Sequence, residues 1–257
     1  MFDYIKCGDC VSLMKELPDS YIDLTVTSPP YDNLRTYKGY SFEFESVAQE
    51  LYRITKQGGV VVWVVGDATI KGSETGTSFK QALYFKEIGF NLHDTMIYRK
   101  INYMPSNSNR YCQEFEYIFV FSKGSPKTFN PIKLPCKYAR TETWGCRTVY
   151  NTDGTLIKRG KTKINDTKIK GNIFEYRVGN TGHTKTNHPA VFPDDLARDQ
   201  IISWSNEGDI IFDPFIGSGT TAKMAMLNNR HYIGFDISEE YCKIAQRRIN
   251  EGIDNGH

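Results

Sequence analysis

Asp209-Ile210-Ile211-Phe212-Asp213-Pro214-Phe215-Ile216-Gly217-Ser218-Gly219-Thr220-Thr221, with His231-Tyr232-Ile233-Gly234-Phe235-Asp236 ten residues further on, is the stretch whose reading decides the fold. Asp209–Phe212 is a short apolar run of strand character. A glycine turn follows, then a helical stretch from Thr220 to Leu227, then a second strand from His231 to Phe235 that ends at an acid. Strand, glycine turn, helix, strand and acid form the first unit of a Rossmann-like nucleotide site. Gly217 and Gly219 are expected to let the backbone approach a ligand where a Cβ would clash. Asp236 stands where a carboxylate accepts from two ribose hydroxyls; as a helix-start acid it would be redundant beside Ser238. A full G-x-G-x-x-G is missing, and so is the lysine of a phosphate loop, which argues against a dinucleotide oxidoreductase.

The same architecture extends outward from this unit. Ile22–Thr27 is β-branched and mostly apolar and reads as a strand. Thr27-Ser28-Pro29-Pro30-Tyr31 therefore lies where that strand ends, the place where open α/β sheets collect ligands. Further strands are expected at Phe2–Lys6, Val60–Val65, Asn91–Tyr98 and Glu116–Phe121. Helical spacing is expected at Cys10–Glu16, at Glu43–Ile54 (stopped by Gly58-Gly59), at Phe79–Ile88 and at Pro193–Ser203, with Asp194-Asp195 in the first turn of the last. Ser238 caps a final helix through Asn250. The expected fold is α/β with a mostly parallel central sheet.

Length and composition fit one large α/β domain with a smaller insertion. No apolar run reaches the roughly 18 residues of a membrane span, and Met1-Phe2-Asp3-Tyr4 lacks the pattern of a signal peptide, so a cytoplasmic location is expected. Cys7 and Cys10 form a lone C-x-x-C. A structural zinc needs a second pair at comparable spacing, so no metal is expected and the thiols are read as reduced. Charge is unevenly spread. Residues 123–187 hold 14 Lys/Arg against 4 Asp/Glu, a balance of +10 in a chain of +2. A basic segment in an otherwise acidic chain points to a localised polyanion-binding surface, its alternative being a solvated loop.

Taken together, the glycine turn, Thr27–Tyr31 and the order in which they occur resemble the S-adenosylmethionine (SAM)-dependent DNA amino-methyltransferases, β group. Their cofactor motif is similar to Asp213–Thr221. A preceding segment resembles His188-Pro189-Ala190 through Phe192-Pro193, Leu196 and Ile201, and the opening Cys7-Gly8-Asp9-Cys10 resembles a segment that lies beside the cofactor adenine. The likeness covers about residues 3–65 and 187–249. It implies a Rossmann-like methyltransferase fold in circularly permuted order: a catalytic half at 1–122, a target-recognition region at 123–187 and a SAM-binding half at 188–257. It implies SAM contacts from Asp9, Asp213, Pro214, Phe215, Gly217, Ser218, Gly219, Thr220 and Asp236. Asp9 also reads as a turn residue, Asp213 as a cap of the turn and Phe215 as core packing.

The resemblance assigns the catalytic step to Ser28, Pro29, Pro30 and Tyr31. The exocyclic amine of cytosine or adenine is a poor nucleophile because its lone pair is delocalised into the ring. The Ser28 side-chain oxygen and the Pro29 carbonyl would accept from the two N–H groups, the prolines would fix that carbonyl inward, and Tyr31 would stack on the base. The base must leave the duplex to reach such a pocket. Tyr37, Lys38 and Tyr40 read either as a lid over the base or as a solvated loop. Serine at position 28, where mostly adenine-N6 members carry aspartate, favours cytosine N4, with adenine N6 as the alternative. Methylation of RNA or protein, and a catalytically silent DNA-binding protein, are weaker readings. Double-stranded DNA is the expected partner, with a cognate restriction endonuclease and a homodimer as further expectations.

Overall fold

In chain order the computed structural model comprises β1 (Tyr4–Cys7), α1 (Cys10–Met14), β2 (Ile22–Thr27), α2 (Phe44–Ile54), β3 (Thr55–Val65), the short strands β4 (Thr69–Ile70) and β5 (Ser73–Glu74), α3 (Thr77–Glu87), β6 (Asn91–Lys100) and β7 (Phe115–Ser122). There follow β8 (Lys133–Pro135), β9 (Arg147–Tyr150), β10 (Leu156–Arg159), β11 (Thr167–Ile169), β12 (Ile173–Tyr176), α4 (Asp194–Trp204), β13 (Ile210–Asp213), α5 (Thr220–Leu227), β14 (His231–Asp236) and α6 (Glu239–Asp254). The structure describes residues 2–30, 42–103, 105, 109–142, 147–178 and 192–254. Two compact units are present: residues 1–130 with 172–257, and residues 131–171.

The larger unit is built on an eight-stranded sheet of order β1-β14-β13-β2-β3-β7-β6-β12. Neighbours pair in parallel from β1 to β3 and again between β6 and β12. Only β7 runs against its neighbours in this sheet. Helices α1, α2 and α3 close over one face, where their apolar side chains join Val61, Trp63, Val65, Phe119, Phe121, Phe212, Ile233 and Phe235. The alternate strand residues, such as Val60, Val62, Val64 and Ile211, are buried too. They face the other way, toward α4 and α5, because side chains alternate along a strand. A sheet covered on both faces explains why Val60–Val65 reads as an unbroken apolar run. Among the described residues, no helix is long and apolar enough to cross a membrane.

Two boundaries differ from expectation. Gly58-Gly59 does not stop α2. That helix ends at Ile54, and Thr55 already has extended backbone. The glycines lie inside β3 at a register shift, where Ile22 pairs Thr55 but Leu24 pairs Val60. A Cβ on Gly59 would lie 2.9 Å from the Asp23 carbonyl oxygen, so the close approach of β2 requires glycine there. The basic segment is also narrower as a compact unit than 123–187. On its N-terminal side Gly58 N–H donates to the Lys123 carbonyl at 2.7 Å, and on its C-terminal side β12 pairs with β6 of the large sheet.

At the centre of the sheet, β13 leads through α5 to β14 on one side, and β2 leads through α2 to β3 on the other. This is the topological switch point, where open α/β sheets bind ligands at the strands' carboxyl ends. Aromatic packing braces the β2–β3 side. Phe85 stacks on Phe121 with centroids 4.4 Å apart, Trp63 meets Phe85 edge-on at 5.2 Å, and the Trp63 indole N–H donates to Gln81 Oε1 at 2.9 Å. Trp63→Ala is predicted to cost about 3–5 kcal/mol of unfolding free energy in urea titrations, from cavity formation and a stranded Gln81. A loss below about 1 kcal/mol would show that this cluster does not hold the sheet.

Candidate active site at the switch point

The glycine turn is shaped by its neighbours. After β13 the chain closes back over the end of β14: Ile216 N–H donates to the Phe235 carbonyl at 2.8 Å, and Gly219 N–H donates to the Ile216 carbonyl at 2.8 Å. Gly217 and Gly219 have φ of 49° and 84°, a left-handed backbone that glycine adopts without steric cost. Gly234 serves the same turn from within β14, because a Cβ there would lie 2.8 Å from Ile216. Gly219 has a packing reason of its own to be glycine. Its missing Cβ would lie 2.7 Å from the Ala245 Cβ, so the glycine makes room for α6.

Helix α6 reaches the turn with a residue that the motifs do not reveal. Arg248 is almost fully buried. Its Nη1 donates to the Ser218 carbonyl at 2.7 Å, to Ser218 Oγ at 2.8 Å and to Thr220 Oγ1 at 3.1 Å, and its Nη2 donates to Asp194 Oδ1 at 3.3 Å. Lys223 meets the other oxygen of Asp194 at 3.2 Å. Ser218 and Thr220, expected on the cofactor, thus point their hydroxyls at Arg248 and support the turn from behind. The sequence signal was an arginine set among Ala245 and Ile249 on the apolar stripe of α6, a position that ordinarily carries a hydrophobe.

Asp213 joins the two motifs. Its carboxylate is buried. Oδ1 accepts from Thr27 Oγ1 at 2.6 Å and from Phe215 N–H at 3.0 Å, and Oδ2 accepts from Thr221 Oγ1 at 2.7 Å. Thr27 immediately precedes Ser28, so one side chain ties the end of β2 to the end of β13 and to the start of α5. Ser28 and Pro30 are half-buried, and Pro29 is buried. Tyr31, Tyr37, Lys38, Tyr40 and His188–Val191 lie outside the described residues. Pro214 is buried, and Phe215 packs edge-on against Phe42 at 5.4 Å and against Trp63 at 6.4 Å, in keeping with the core reading of that residue.

Asp236 ends β14 with its carboxylate half-buried and held in place. Gly217 N–H donates to Oδ2 at 2.9 Å, and Ser238 N–H donates to Oδ1 at 2.8 Å. The Asp236 carbonyl accepts from Gly8 N–H at 2.9 Å, which places the turn after β1 alongside. Asp9 caps α1 through a 2.8 Å bond from Ser12 N–H, and its side chain is exposed. The residues present suit a nucleoside: a left-handed glycine turn, then a fixed, partly accessible carboxylate at the end of the next strand that can accept from ribose hydroxyls. Among the described residues, no group of three or more His, Cys, Asp or Glu is arranged to hold a metal ion.

Burial raises the Asp213 carboxyl to about 6, against hydrogen bonds from Thr27, Thr221 and Phe215 that pull it down. A group whose folded pKa is raised contributes stability that is complete below the unfolded value, roughly 4, and is lost as pH rises through about 6. The wild type minus Asp213→Asn difference in unfolding free energy is therefore predicted to fall between about pH 4 and 6, by an amount on the order of 3 kcal/mol, and to be level above. A flat difference across that window, in urea titrations at stepped pH, would refute the assignment.

Comparisons with known proteins point the same way. A family model described as DNA methylase, of the N6/N4 class, matches residues 22–247. The orphan methyltransferase M.BamHII of Bacillus amyloliquefaciens is 56% identical over 255 residues, covering 93% of each chain. The type II methyltransferase M.BglII of Bacillus subtilis is 28% identical over 95% of this chain and 68% of its own. Among solved structures, the PvuII DNA methyltransferase (cytosine-N4-specific) aligns with a TM-score of 0.72 at 20% identity, over 100% of this chain and 94% of its own. The M1.HpyAVI–SAM complex aligns with a TM-score of 0.66 at 23% identity, over 96% and 98%. These last two likenesses establish the fold.

Proposed function

The chain belongs to the N6/N4 DNA methylase family, and from that premise we propose that it is a site-specific enzyme that methylates the exocyclic N4 amine of a flipped cytosine in double-stranded DNA. The observation that carries this reading is the Thr27–Asp213–Thr221 tie, which sets Ser28-Pro29-Pro30 beside the glycine turn on adjacent strands. S-adenosylmethionine supplies the methyl group as a sulfonium. The turn Asp213–Gly219 and the Asp236 carboxylate hold and orient it, with the Asp9 turn alongside. Ser28 and the Pro29 carbonyl accept from the amine's two N–H groups and raise electron density on nitrogen. The new N–C bond forms as the old C–S bond breaks, and the extra amine proton leaves afterwards to solvent. Preorganised acceptors and proximity supply the rate enhancement.

Serine at position 28 supports cytosine; adenine N6 is the alternative, since both amines offer the same two donors. Target choice is assigned to the basic segment 123–187, whose compact part is 131–171. The half-chain roles of 1–122 and 188–257 follow from where the two motifs lie. A partner endonuclease would recognise the same site, and a homodimer would show as twice the chain mass in solution.

Two measurements test the proposal. Nucleosides released from DNA treated with the purified chain and SAM are expected to contain N4-methylcytosine in mass spectrometry. N6-methyladenine instead would select the alternative, and neither product, with SAM bound, would leave a silent DNA-binding protein. Ser28→Ala is expected to keep SAM affinity in calorimetry while kcat drops roughly 10²-fold, as for loss of one preorganised hydrogen-bonding partner. Unchanged kcat would place the catalytic pocket elsewhere.

A further inference from the structure

Among the described residues of 131–171 there are two separate two-stranded ribbons. In β8–β11, Lys133 pairs Ile169 and Leu134 pairs Lys168. In β9–β10, Tyr150 pairs Leu156, Val149 pairs Ile157 and Thr148 pairs Lys158. Directly opposed residues share a face, and faces alternate along the strands. Thr148 and Lys158 therefore share a face with Tyr150 and Leu156, while Val149 and Ile157 take the other. All four apolar side chains are exposed, Tyr150 at 71%.

The tip of this ribbon is held by its own hydrogen bonds. Asn151 N–H donates to the Thr155 carbonyl at 2.9 Å, and Gly154, at φ 81°, donates to the Asn151 carbonyl at 3.0 Å. Asn151 Nδ2 donates to Thr155 Oγ1 at 3.0 Å, which in turn donates to Asp153 Oδ1 at 2.7 Å. Hydrogen bonds from Thr155 hold the Asp153 carboxyl below its ordinary value, so this acid is engaged within the turn. The unit's other acids are engaged as well: Asp166 pairs Arg140 at 2.9 Å, and Glu142 meets Lys161 at 3.9 Å. Against these 3 acids stand 10 Lys/Arg. The outward charge is therefore positive.

We propose that the β9–β10 ribbon is the base-reading element of this enzyme, seated in the DNA major groove, and that the β8–β11 ribbon contacts the phosphates. The proposal rests on the assignment of target choice to this segment. The major groove admits a two-stranded ribbon. Strands of four residues, about 13 Å long, span roughly four base pairs. Lys158 donates to guanine O6 and N7, the Thr148 hydroxyl meets either kind of base edge, and Leu156 packs on a thymine methyl. A stiff tip carries these groups into the groove without further ordering cost. Lys133 and Lys168, on the other ribbon, are point charges suited to phosphate.

Methylation of a randomised duplex library by the full-length chain, read by sequencing, tests this. Lys158→Ala and Thr148→Ala are expected to keep SAM affinity and to lower discrimination at one or two base positions by about tenfold or more. Lys133→Ala with Lys168→Ala is expected to weaken all sequences alike and to flatten the dependence of log affinity on log salt. An unchanged sequence profile in the β9–β10 variants overturns the proposal, as does a profile that changes in the Lys133/Lys168 variant instead. A Tyr150→Ala or Leu156→Ala variant that changes oligomeric state but not the profile would make the ribbon a subunit contact and likewise overturn it. Exchange of 131–171 for that of a relative with a different target separates the levels. If the exchanged enzyme keeps the original site, target choice lies outside this unit. If it adopts the new site while the β9–β10 variants keep their profile, only the ribbon assignment fails.

Discussion

A buried carboxylate, Asp213, ties together the ends of β2 and β13 at the switch point. Its acceptance from Thr27 on β2 and Thr221 on α5 fixes where the Ser28-Pro29-Pro30 backbone stands relative to the glycine turn. Methyl transfer needs donor and acceptor in line at near contact, and small displacements are costly. A link through two hydroxyls and one carboxylate suits that need, because each bond is short, buried and charge-assisted. The cost is desolvation, visible in the raised Asp213 carboxyl, and it is offset only while its hydrogen-bonding partners remain in place.

The remaining supports converge on the same few residues. Helix α6 presses Ala245 against Gly219 and sends Arg248 to Ser218 and Thr220. Asp236 is fixed by two backbone N–H groups. Phe215 leans on Phe42 and Trp63, so the aromatic core of the β2–β3 side braces the glycine turn as well. The turn is thus held from below by a strand, from behind by a helix and from the side by an aromatic cluster. Preorganisation of this kind lets a backbone turn act as a binding site without paying to order itself on binding.

The unit at 131–171 follows a different logic. It has short ribbons, exposed apolar side chains and an excess of positive charge whose acids are engaged internally. Such a surface is poorly suited to a protein core and well suited to a polyanion.

Local pattern alone determined much of this protein. Every strand of the central sheet but β12 was legible from short apolar runs, as were the helices, because periodicity and turn chemistry are properties of neighbouring residues. The glycine turn and Ser28-Pro29-Pro30 were legible as motifs for the same reason, as was the basic character of 123–187. Tertiary structure alone decided what individual side chains do. Asp213, Ser218, Thr220 and Gly219 sit within a motif expected on the cofactor, yet their side chains, or the space where one would be, face Thr27, Arg248 and Ala245. β12, Ile173-Phe174-Glu175-Tyr176, is short and set in a polar tract; its pairing with β6 and the burial of Phe174 and Tyr176 are long-range features. Thr27 and Asp213 are 186 residues apart, and Arg248 reaches Ser218 across 30. Contacts across such separations depend on strand order and helix packing, which no local window contains.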